Sequence, residues 1–266
     1  MKNLSLFLAA ALAAVSCVFN LGDAVFVGHC TEEGIDYTEV RDVKPFRALR
    51  TSLPCNVYYV QADKQEVRIE STEEFAAKVL TEVEDGTLLL KLESGRYPKL
   101  ILRVVVSSPD IEDLSVSGSG SLFGEDGIHA SDDLNLKVSG SGDIHTGTID
   151  CKDFTARCSG SGSMHLESVA STGFSATVSG SGDIAIPVLK ADGNASARVS
   201  GSGWIRLEEV DVNGDMELRT SGSGDIVVNG ACHYINATSS GSGSISGNLS
   251  HTGITSHTSG SGSVSL

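Results

Sequence analysis

The sequence has few aromatic residues and few basic ones. Among its 266 residues are one Trp, five Tyr and eight Phe, so a core must consist mainly of small and β-branched side chains. Lys and Arg total 19 against 34 Asp and Glu, which gives a formal charge of −15. Because binding to nucleic-acid phosphates requires a net basic face, this balance argues against a nucleic-acid partner.

Cysteine is also scarce, and its spacing argues against a disulfide framework or a zinc site. Five of the six cysteines follow residue 17, an odd number, and no CxxC motif occurs. Cys151 and Cys232 share one phase of a repeat but lie four repeats apart, about 19 Å in a stack of strands, which is beyond disulfide reach. Cys30 and Cys55 lie outside the repeats and are the candidate pair.

The N-terminus resembles a secretory signal peptide over residues 1–16. Lys2 is followed by an apolar run of Leu, Phe and Ala that is too short to span a bilayer stably. The segment ends at Ala14-Val15-Ser16-Cys17, which resembles a bacterial lipobox with Ala14 where Leu is usual, and this predicts lipidation at Cys17. Ordinary cleavage after Ser16 or near Ala24 is the alternative. We therefore expect export across the inner membrane to the periplasm, outer membrane or cell surface, with a lipid anchor as the only membrane attachment.

The tetrapeptide Ser-Gly-Ser-Gly organises the C-terminal half. It occurs eight times at intervals of 19 to 22 residues, a period typical of a solenoid in which one short unit stacks on itself. The first glycines of the copies are Gly118, Gly140, Gly160, Gly180, Gly201, Gly222, Gly241 and Gly260. No copy is followed by the Lys and helix of a phosphate-binding loop, so the motif is interpreted as a corner where glycine permits positive φ or close backbone contact.

Alignment of the copies exposes a column of apolar residues. The fourth residue after each first glycine is aliphatic in all eight copies: Leu122, Ile144, Met164, Ile184, Ile205, Ile226, Ile245 and Val264. Because side chains alternate along a strand, this column predicts stacked inward positions after each corner. The fold class is therefore all-β, a right-handed parallel β-helix (β-solenoid) of about eight rungs of about 20 residues.

The rest of the chain divides by pattern into two parts. Residues 17–40 show no clear period and are interpreted as a linker or arm. Residues 41–110 contain short alternating runs separated by turn residues, which predict an N-terminal β segment or cap packed on the solenoid or continuing it. The solenoid repeats occupy residues 111–266.

Several segments of the chain, in the order in which they occur, resemble one family. They are Phe46–Val60, Val67–Glu70, Val83–Leu88 and Val104–Pro109, followed by the Val-Ser-Gly-Ser-Gly-Asp-Ile type repeats. Together, over about residues 40–266, they look like the putative auto-transporter adhesin, head-GIN domain family of Bacteroidetes envelope proteins. The resemblance implies a β-solenoid outside the cytoplasm, and the family supplies no catalytic residues.

The outward columns hold the candidate binding residues. Lys137, Arg157, Arg198 and Arg219 form a basic stripe, and Asp143, Asp183 and Asp225 an acidic one; such stripes are usually solvated faces. Trp204, the one tryptophan, stands between Asp183 and Asp225 in its column, with Arg206 two residues on. An exposed aromatic in this setting is typical of a sugar or protein contact, and the alternative is that Trp204 lies flat over a neighbouring face.

No metal or cofactor is predicted. His145 and His165 share an outward phase on consecutive rungs, so their rings should lie about 5 Å apart, but no Cys, Asp or Glu at that phase completes a metal site. The Asp residues after the corner occur in three rungs, none adjacent, unlike a calcium-binding β-helix.

We expect a non-enzymatic adhesin or interaction protein with a protein or glycan ligand. The alternative is a scaffold that forms homo-oligomers through the C-terminal strand edge.

Overall fold

The computed structural model describes residues 25–266, which are almost entirely β-structure. The N-terminal part contains β1 (Val25–Val27), β2 (Cys30–Thr31), β3 (Tyr37–Arg41), β4 (Ala48–Thr51), β5 (Val57–Gln61), β6 (Glu66–Ser71), α1 (Glu73–Ala76), β7 (Val79–Glu84), β8 (Thr87–Leu92), β9 (Gly95–Tyr97) and β10 (Leu100–Ser108). The predicted signal peptide and the predicted lipidation at Cys17 lie outside the described residues.

The repeats contain two strands per rung, one on each side of the Ser-Gly-Ser-Gly corner. They are β11 (Asp113–Val116), β12 (Leu122–Gly124), β13 (Ile128–His129), β14 (Leu134–Val138), β15 (Ile144–Asp150), β16 (Asp153–Cys158), β17 (Met164–Ser171), β18 (Gly173–Val178), β19 (Ile184–Ala191), β20 (Ala195–Val199), β21 (Trp204–Val212), β22 (Met216–Thr220), β23 (Asp225–Cys232), β24 (Tyr234–Gly241), β25 (Ile245–Ser250), β26 (Gly253–Gly260) and β27 (Val264–Ser265). The strand before the corner and the strand after it belong to different sheets.

Two long sheets result, which we name by their size. The 14-stranded sheet contains the strands that follow the corners, and the 11-stranded sheet contains those that precede them. Within the repeats every pairing is parallel, and most pairs join equivalent positions, such as Ile184 with Ile205. Between β21 and β23 the register shifts after Leu207. The predicted β-solenoid is therefore confirmed.

The aliphatic column lies between the two sheets, as predicted. Its first seven members, from Leu122 to Ile245, have no exposed surface, and Val264 in the last rung is partly buried. Smaller side chains of the 11-stranded sheet, such as Ala156, Ala176 and Ala197, face them and are also fully buried. Burying one aliphatic side chain stabilises the folded state by roughly 1.5–3 kcal/mol. Because this burial is repeated on every rung, stacking is the main source of stability.

The corner glycines are explained by close backbone approach. A Cβ on Gly162 would overlap the carbonyl oxygen of Gly142 in the rung below, and the same relationship repeats along the stack. The amide of Ser161 donates to the carbonyl of Gly140 at 3.1 Å, so consecutive corners are joined directly. Ser-Gly-Ser-Gly is therefore a corner that lets the backbones of neighbouring rungs touch.

The N-terminal part continues the solenoid and then closes it. Strands β4 and β5 form a parallel rung below β11 and β12, and β8 and β10 form another rung on its far side. Beyond them the pairing becomes antiparallel, with β7 on β8, β6 on β10 and β3 on β6. The predicted linker or arm, residues 17–40, contains β1, β2 and most of β3 within its described part.

A disulfide ties the N-terminal strands to the first rung. Cys30 in β2 is bonded to Cys55 before β5, with their Cα atoms 5.8 Å apart, as the candidate pairing predicted. Cys151, Cys158 and Cys232 are free and buried. Burial raises the pKa of the Cys151 thiol to about 12, so this thiol behaves as a small apolar side chain.

Candidate ligand-binding face

Trp204 and Arg206 form a stacked pair at the start of β21. The two residues are separated by one position in the strand, so their side chains leave the same face of the sheet. The guanidinium carbon of Arg206 lies 4.9 Å from the centroid of the Trp204 ring. Trp204 is half-buried and Arg206 is exposed. The side chains that the sequence placed together therefore make a cation–π contact on the outer surface.

Asp183 and Asp225 flank Trp204 in its column, and each has a structural task. Oδ1 of Asp183 accepts a hydrogen bond from the Trp204 amide at 2.9 Å. Oδ1 of Asp225 accepts from the Ser244 amide at 2.7 Å, and Asp143 binds the amide of Ser163 in the same way. Each carboxylate thus satisfies the first amide of the next rung as the chain leaves its corner. The repeat alignment places these residues in the column of Trp204 but does not indicate this bond.

The basic stripe lies on the 11-stranded sheet. Arg198 and Arg219 are adjacent in register on β20 and β22, and both pair with Glu217. The Arg219–Glu217 distance is 2.6 Å. These cations are therefore partly neutralised, and the two charge stripes face different directions on the solenoid.

A ladder of four stacked rings lies on the outer face of the 14-stranded sheet. Its members are Tyr58, Phe123, His145 and His165, each paired in register with the next. The successive ring centroids are 5.3, 5.0 and 5.2 Å apart, with interplanar angles of 19°, 9° and 17°. The predicted spacing of the two histidines is confirmed, and they are the end of a longer stack. We call these four residues the ring ladder.

The N-terminal end of the ring ladder is fixed by charged and polar neighbours. The guanidinium carbon of Arg103 lies 4.4 Å from the centroid of Tyr58. The Tyr58 hydroxyl donates to Glu32 at 2.8 Å, and the Asn56 amide donates to the same oxygen at 3.0 Å. Burial, followed by the hydrogen bond to Glu32, raises the pKa of Tyr58, so this phenol stays protonated. The first ring is thus held in place from several directions.

His145 is held inside the ladder as a neutral ring. Burial lowers its pKa, and the neighbouring His165 adds to this effect, whereas Asp143 and Glu125 oppose it. A neutral imidazole stacks between Phe123 and His165 without the cost of desolvating a charge. The lowered pKa therefore favours the uncharged imidazole of His145 near neutral pH.

The sequence contained a signal for part of this ladder. Phe123, His145 and His165 all stand five residues after the first glycine of their motif, as do Ala185 and Arg206. Phe123 could thus have been found from the repeat alignment. Tyr58 could not, because it precedes the repeats and only strand pairing brings it to this column. Arg103 lies on β10, where Val105 is the residue in register with Tyr58, and reaches the ring from beside the column.

A groove opens at the C-terminal end of the ring ladder. It has a volume of about 460 Å³, and its lining includes His145, His165, Glu125, Glu167, Ala185 and Pro187. Within residues 25–266 no three His, Cys, Asp or Glu side chains are arranged to hold a metal ion. The groove therefore offers ring faces, carboxylates and small apolar side chains.

Fold and surface together define a class, a parallel β-solenoid with a side-chain ladder on one lateral face. A family model described as "Putative auto-transporter adhesin, head GIN domain" matches residues 45–212. The chain belongs to this family, as the resemblance of its segments and repeats predicted.

Solved structures share the fold. A putative lipid binding protein from Parabacteroides distasonis is 21% identical, with a TM-score of 0.77 over 91% of this chain and 99% of that one. A putative adhesin from Bacteroides fragilis is 22% identical, with a TM-score of 0.62 over 90% and 99%. A putative adhesin from Parabacteroides merdae is 16% identical, with a TM-score of 0.74 over 92% and 99%. No curated protein matches the sequence.

Proposed function

We propose that the protein is a non-enzymatic adhesin of the cell envelope that binds its ligand on the outer face of the 14-stranded sheet. The observation that carries this proposal is the ring ladder with the Trp204–Arg206 pair two strands beyond His165. Tyr, Trp and Arg are the residue types that dominate binding hot spots. The family and the names of the solved relatives support an adhesin-like role.

The shape of the protein supports binding on a side rather than inside. Buried aliphatic and small side chains fill the space between the sheets, and the groove beyond His165 lies on the outer surface. Functions of solenoid proteins commonly use such extended lateral surfaces. We therefore place the ligand across several rungs of the 14-stranded sheet, and the ligand is a glycan or a protein.

The proposed location is the envelope, with a lipid anchor at Cys17. The Cys30–Cys55 disulfide supports an oxidising compartment outside the cytoplasm. No helix among residues 25–266 is long and apolar enough to cross a bilayer. Mass spectrometry of the mature N-terminus tests the anchor, and an unlipidated Cys17 contradicts it. Globomycin, which blocks lipoprotein signal cleavage, should leave the longer precursor.

The binding proposal is tested on arrays of glycans and extracellular matrix proteins. We expect a ligand whose binding is lost or strongly weakened in Trp204→Ala and Arg206→Ala. Arg157→Ala is the matched control, because Arg157 is equally an exposed cation but lies on the 11-stranded sheet. The absence of any ligand, or equal binding by all three variants, contradicts the proposal.

Assembly through a strand edge is the second candidate. Strand β26 is eight residues long, is exposed along most of its length and pairs with β24 on one side. No strand within residues 25–266 covers its other side, and Ile254 on it is 39% exposed. Such an edge pairs readily with a strand of another chain. Light scattering tests it: a mass that rises with concentration supports assembly, and a strict monomer contradicts it.

A further inference from the structure

We propose that the groove at the C-terminal end of the ring ladder binds an aromatic side chain of a protein ligand, whose ring continues the ladder above Ala185. This inference rests on the proposed lateral binding function and chooses between its two ligand classes. It starts from one column of the 14-stranded sheet, in which His165 is paired in register with Ala185. The stack of rings therefore stops at a position whose side chain is a methyl group.

One face of the His165 ring is open to the groove. Within residues 25–266, this ring stacks on that of His145 and on no other. His145, which lies between two rings, is half-buried, whereas His165 is exposed. Arg206 is in register with Ala185 on the next strand, but its guanidinium carbon lies 4.9 Å from the centroid of the Trp204 ring. The cation–π contact thus directs the guanidinium of Arg206 to Trp204 and not over Ala185.

A flat ring fits the spacing of this column. The centroids of the three stacked pairs in the ladder are 5.3, 5.0 and 5.2 Å apart, close to the distance between neighbouring strands. A ligand ring at the level of Ala185 would lie at the same distance from His165. Aromatic pairs attract one another at centroid distances of about 4.5–7 Å. The position above Ala185 is therefore suited to one more ring of the same stack.

The groove also has room for the ligand's main chain beside the rings. Gly147 on β15 lies between Glu125, which follows β12, and Glu167 on β17, and it has no side chain to fill the groove. From Glu125 to Ala185 the groove crosses three strand spacings, about 14 Å. An extended peptide of about four residues has this length. The groove therefore has the dimensions of a short extended segment that ends in an aromatic residue.

The charges of the groove favour a basic segment. Glu125 and Glu167 are exposed, and neither forms a salt bridge with another of residues 25–266. A Lys or Arg about four residues from the aromatic residue would reach Glu125 while the ring stacks on His165. The formal charge of −15 disfavours a nucleic-acid base as the ring. The ligand class is therefore an aromatic residue in a basic protein segment.

The inference is tested by NMR of the histidine rings, with the peptide acetyl-Lys-Thr-Ser-Thr-Phe-amide as the probe. A ring stacked above Ala185 should shift the ring-proton resonances of His165 upfield, and those of His145, one ring further away, by less. The same peptide with Leu in place of Phe should bind at least ~10-fold more weakly, a change of about 1.4 kcal/mol. No shift at His165, a larger shift at His145, or equal binding of the Leu peptide overturns the inference.

A variant supplies the ring from the protein itself. In Ala185→Phe the new side chain should extend the ladder, so that the resonances of His165 are shifted upfield without peptide and the affinity for the Phe peptide falls at least ~10-fold. Val227→Phe is the matched control, because Val227 is in register with Arg206 on the strand beyond it. Normal binding by Ala185→Phe, or an equal loss in Val227→Phe, contradicts the inference. Circular dichroism verifies folding, and the wild-type shifts decide if Ala185→Phe does not fold.

The position of the cation is tested separately. Glu125→Gln should weaken the Phe peptide several-fold at low salt and should leave a peptide with Gln in place of Lys unaffected. Glu208→Gln is the control, because Glu208 is an exposed carboxylate on β21, outside the groove. Equal binding of the Lys peptide by wild type and Glu125→Gln contradicts a segment that runs along the groove.

These results are distinguishable from a failure of the proposed function. An array ligand that is lost in Trp204→Ala but bound normally by Ala185→Phe would show a lateral binding face without this subsite, so the inference alone would be wrong. If the Phe peptide binds as described and no array ligand depends on Trp204, the subsite is supported and the role of the Trp204–Arg206 pair is wrong.

Discussion

The imidazole of His145 lies 5.2 Å from that of His165, with an angle of 17° between the two planes. The two residues are directly paired on β15 and β17, so a repeat of 20 residues brings them face to face. The same relationship, continued to Phe123 and Tyr58, creates the ring ladder. In a regular solenoid, side chains one repeat apart therefore stack on one another along the outer surface.

The neutral state of His145 predicts a stability that depends on pH. Burial lowers the pKa of His145 in the folded protein below its value in the unfolded chain. The unfolded state therefore binds more protons as the pH falls below about 6.5, and the folded state loses stability. We expect the free energy of unfolding to decrease between pH 7 and 5 in urea titrations.

A variant identifies the group responsible for that decrease. His145→Phe keeps a ring between Phe123 and His165 but cannot take up a proton. Its stability should depend less on pH than that of the wild type over the same interval. Identical pH profiles for the two proteins would show that His145 is not the titrating group.

The inward column predicts the cost of a cavity. Ile184 has no exposed surface, and its neighbours in register are Met164 and Ile205. Ile184→Ala should reduce the free energy of unfolding by about 2–5 kcal/mol, measured by chemical denaturation. Lys190→Ala, an exposed change on the same strand, should stay within about 0.5 kcal/mol. Equal effects of the two substitutions would contradict the packing described for the rungs.

The corner geometry predicts that a single methyl group is harmful there. In Gly162→Ala the new Cβ would meet the carbonyl oxygen of Gly142, and backbone must move to accept it. Overpacking of this kind costs typically about 1–3 kcal/mol. Ser161→Ala, at the exposed neighbouring position, should be nearly neutral. A fully stable Gly162→Ala variant would show that the corners are not in contact.

Removal of the Cys30–Cys55 disulfide should lower the free energy of unfolding. Cys30 and Cys55 are 25 residues apart. Cross-linking a loop of this length stabilises the folded state by about 3 kcal/mol, because it restricts the conformations of the unfolded chain. Cys30→Ala/Cys55→Ala should unfold at correspondingly lower denaturant concentration. Cys158→Ala is the comparison for loss of a free buried thiol. A reducing agent should destabilise the wild type but leave the double variant unchanged.

The sequence was sufficient to predict the fold, but it predicted only part of the proposed binding face on the 14-stranded sheet. The period of Ser-Gly-Ser-Gly and the aliphatic column from Leu122 to Val264 predict the stacked rungs, because parallel pairing places equivalent residues above one another. Tyr58 could not be predicted, since the rung it belongs to has no such motif. The bond from Asp183 to the Trp204 amide depends on a side-chain rotamer, which a repeat pattern does not specify.

Trp204 offers the most direct measurement, because it is the one tryptophan of the chain and lies on the proposed binding face. Its fluorescence should change when a ligand identified on the arrays is added, and acrylamide should quench it less in the complex than in the free protein. The titration should saturate at the affinity measured independently. A ligand that binds with that affinity while the emission and the quenching of Trp204 stay unchanged would contradict binding on this face.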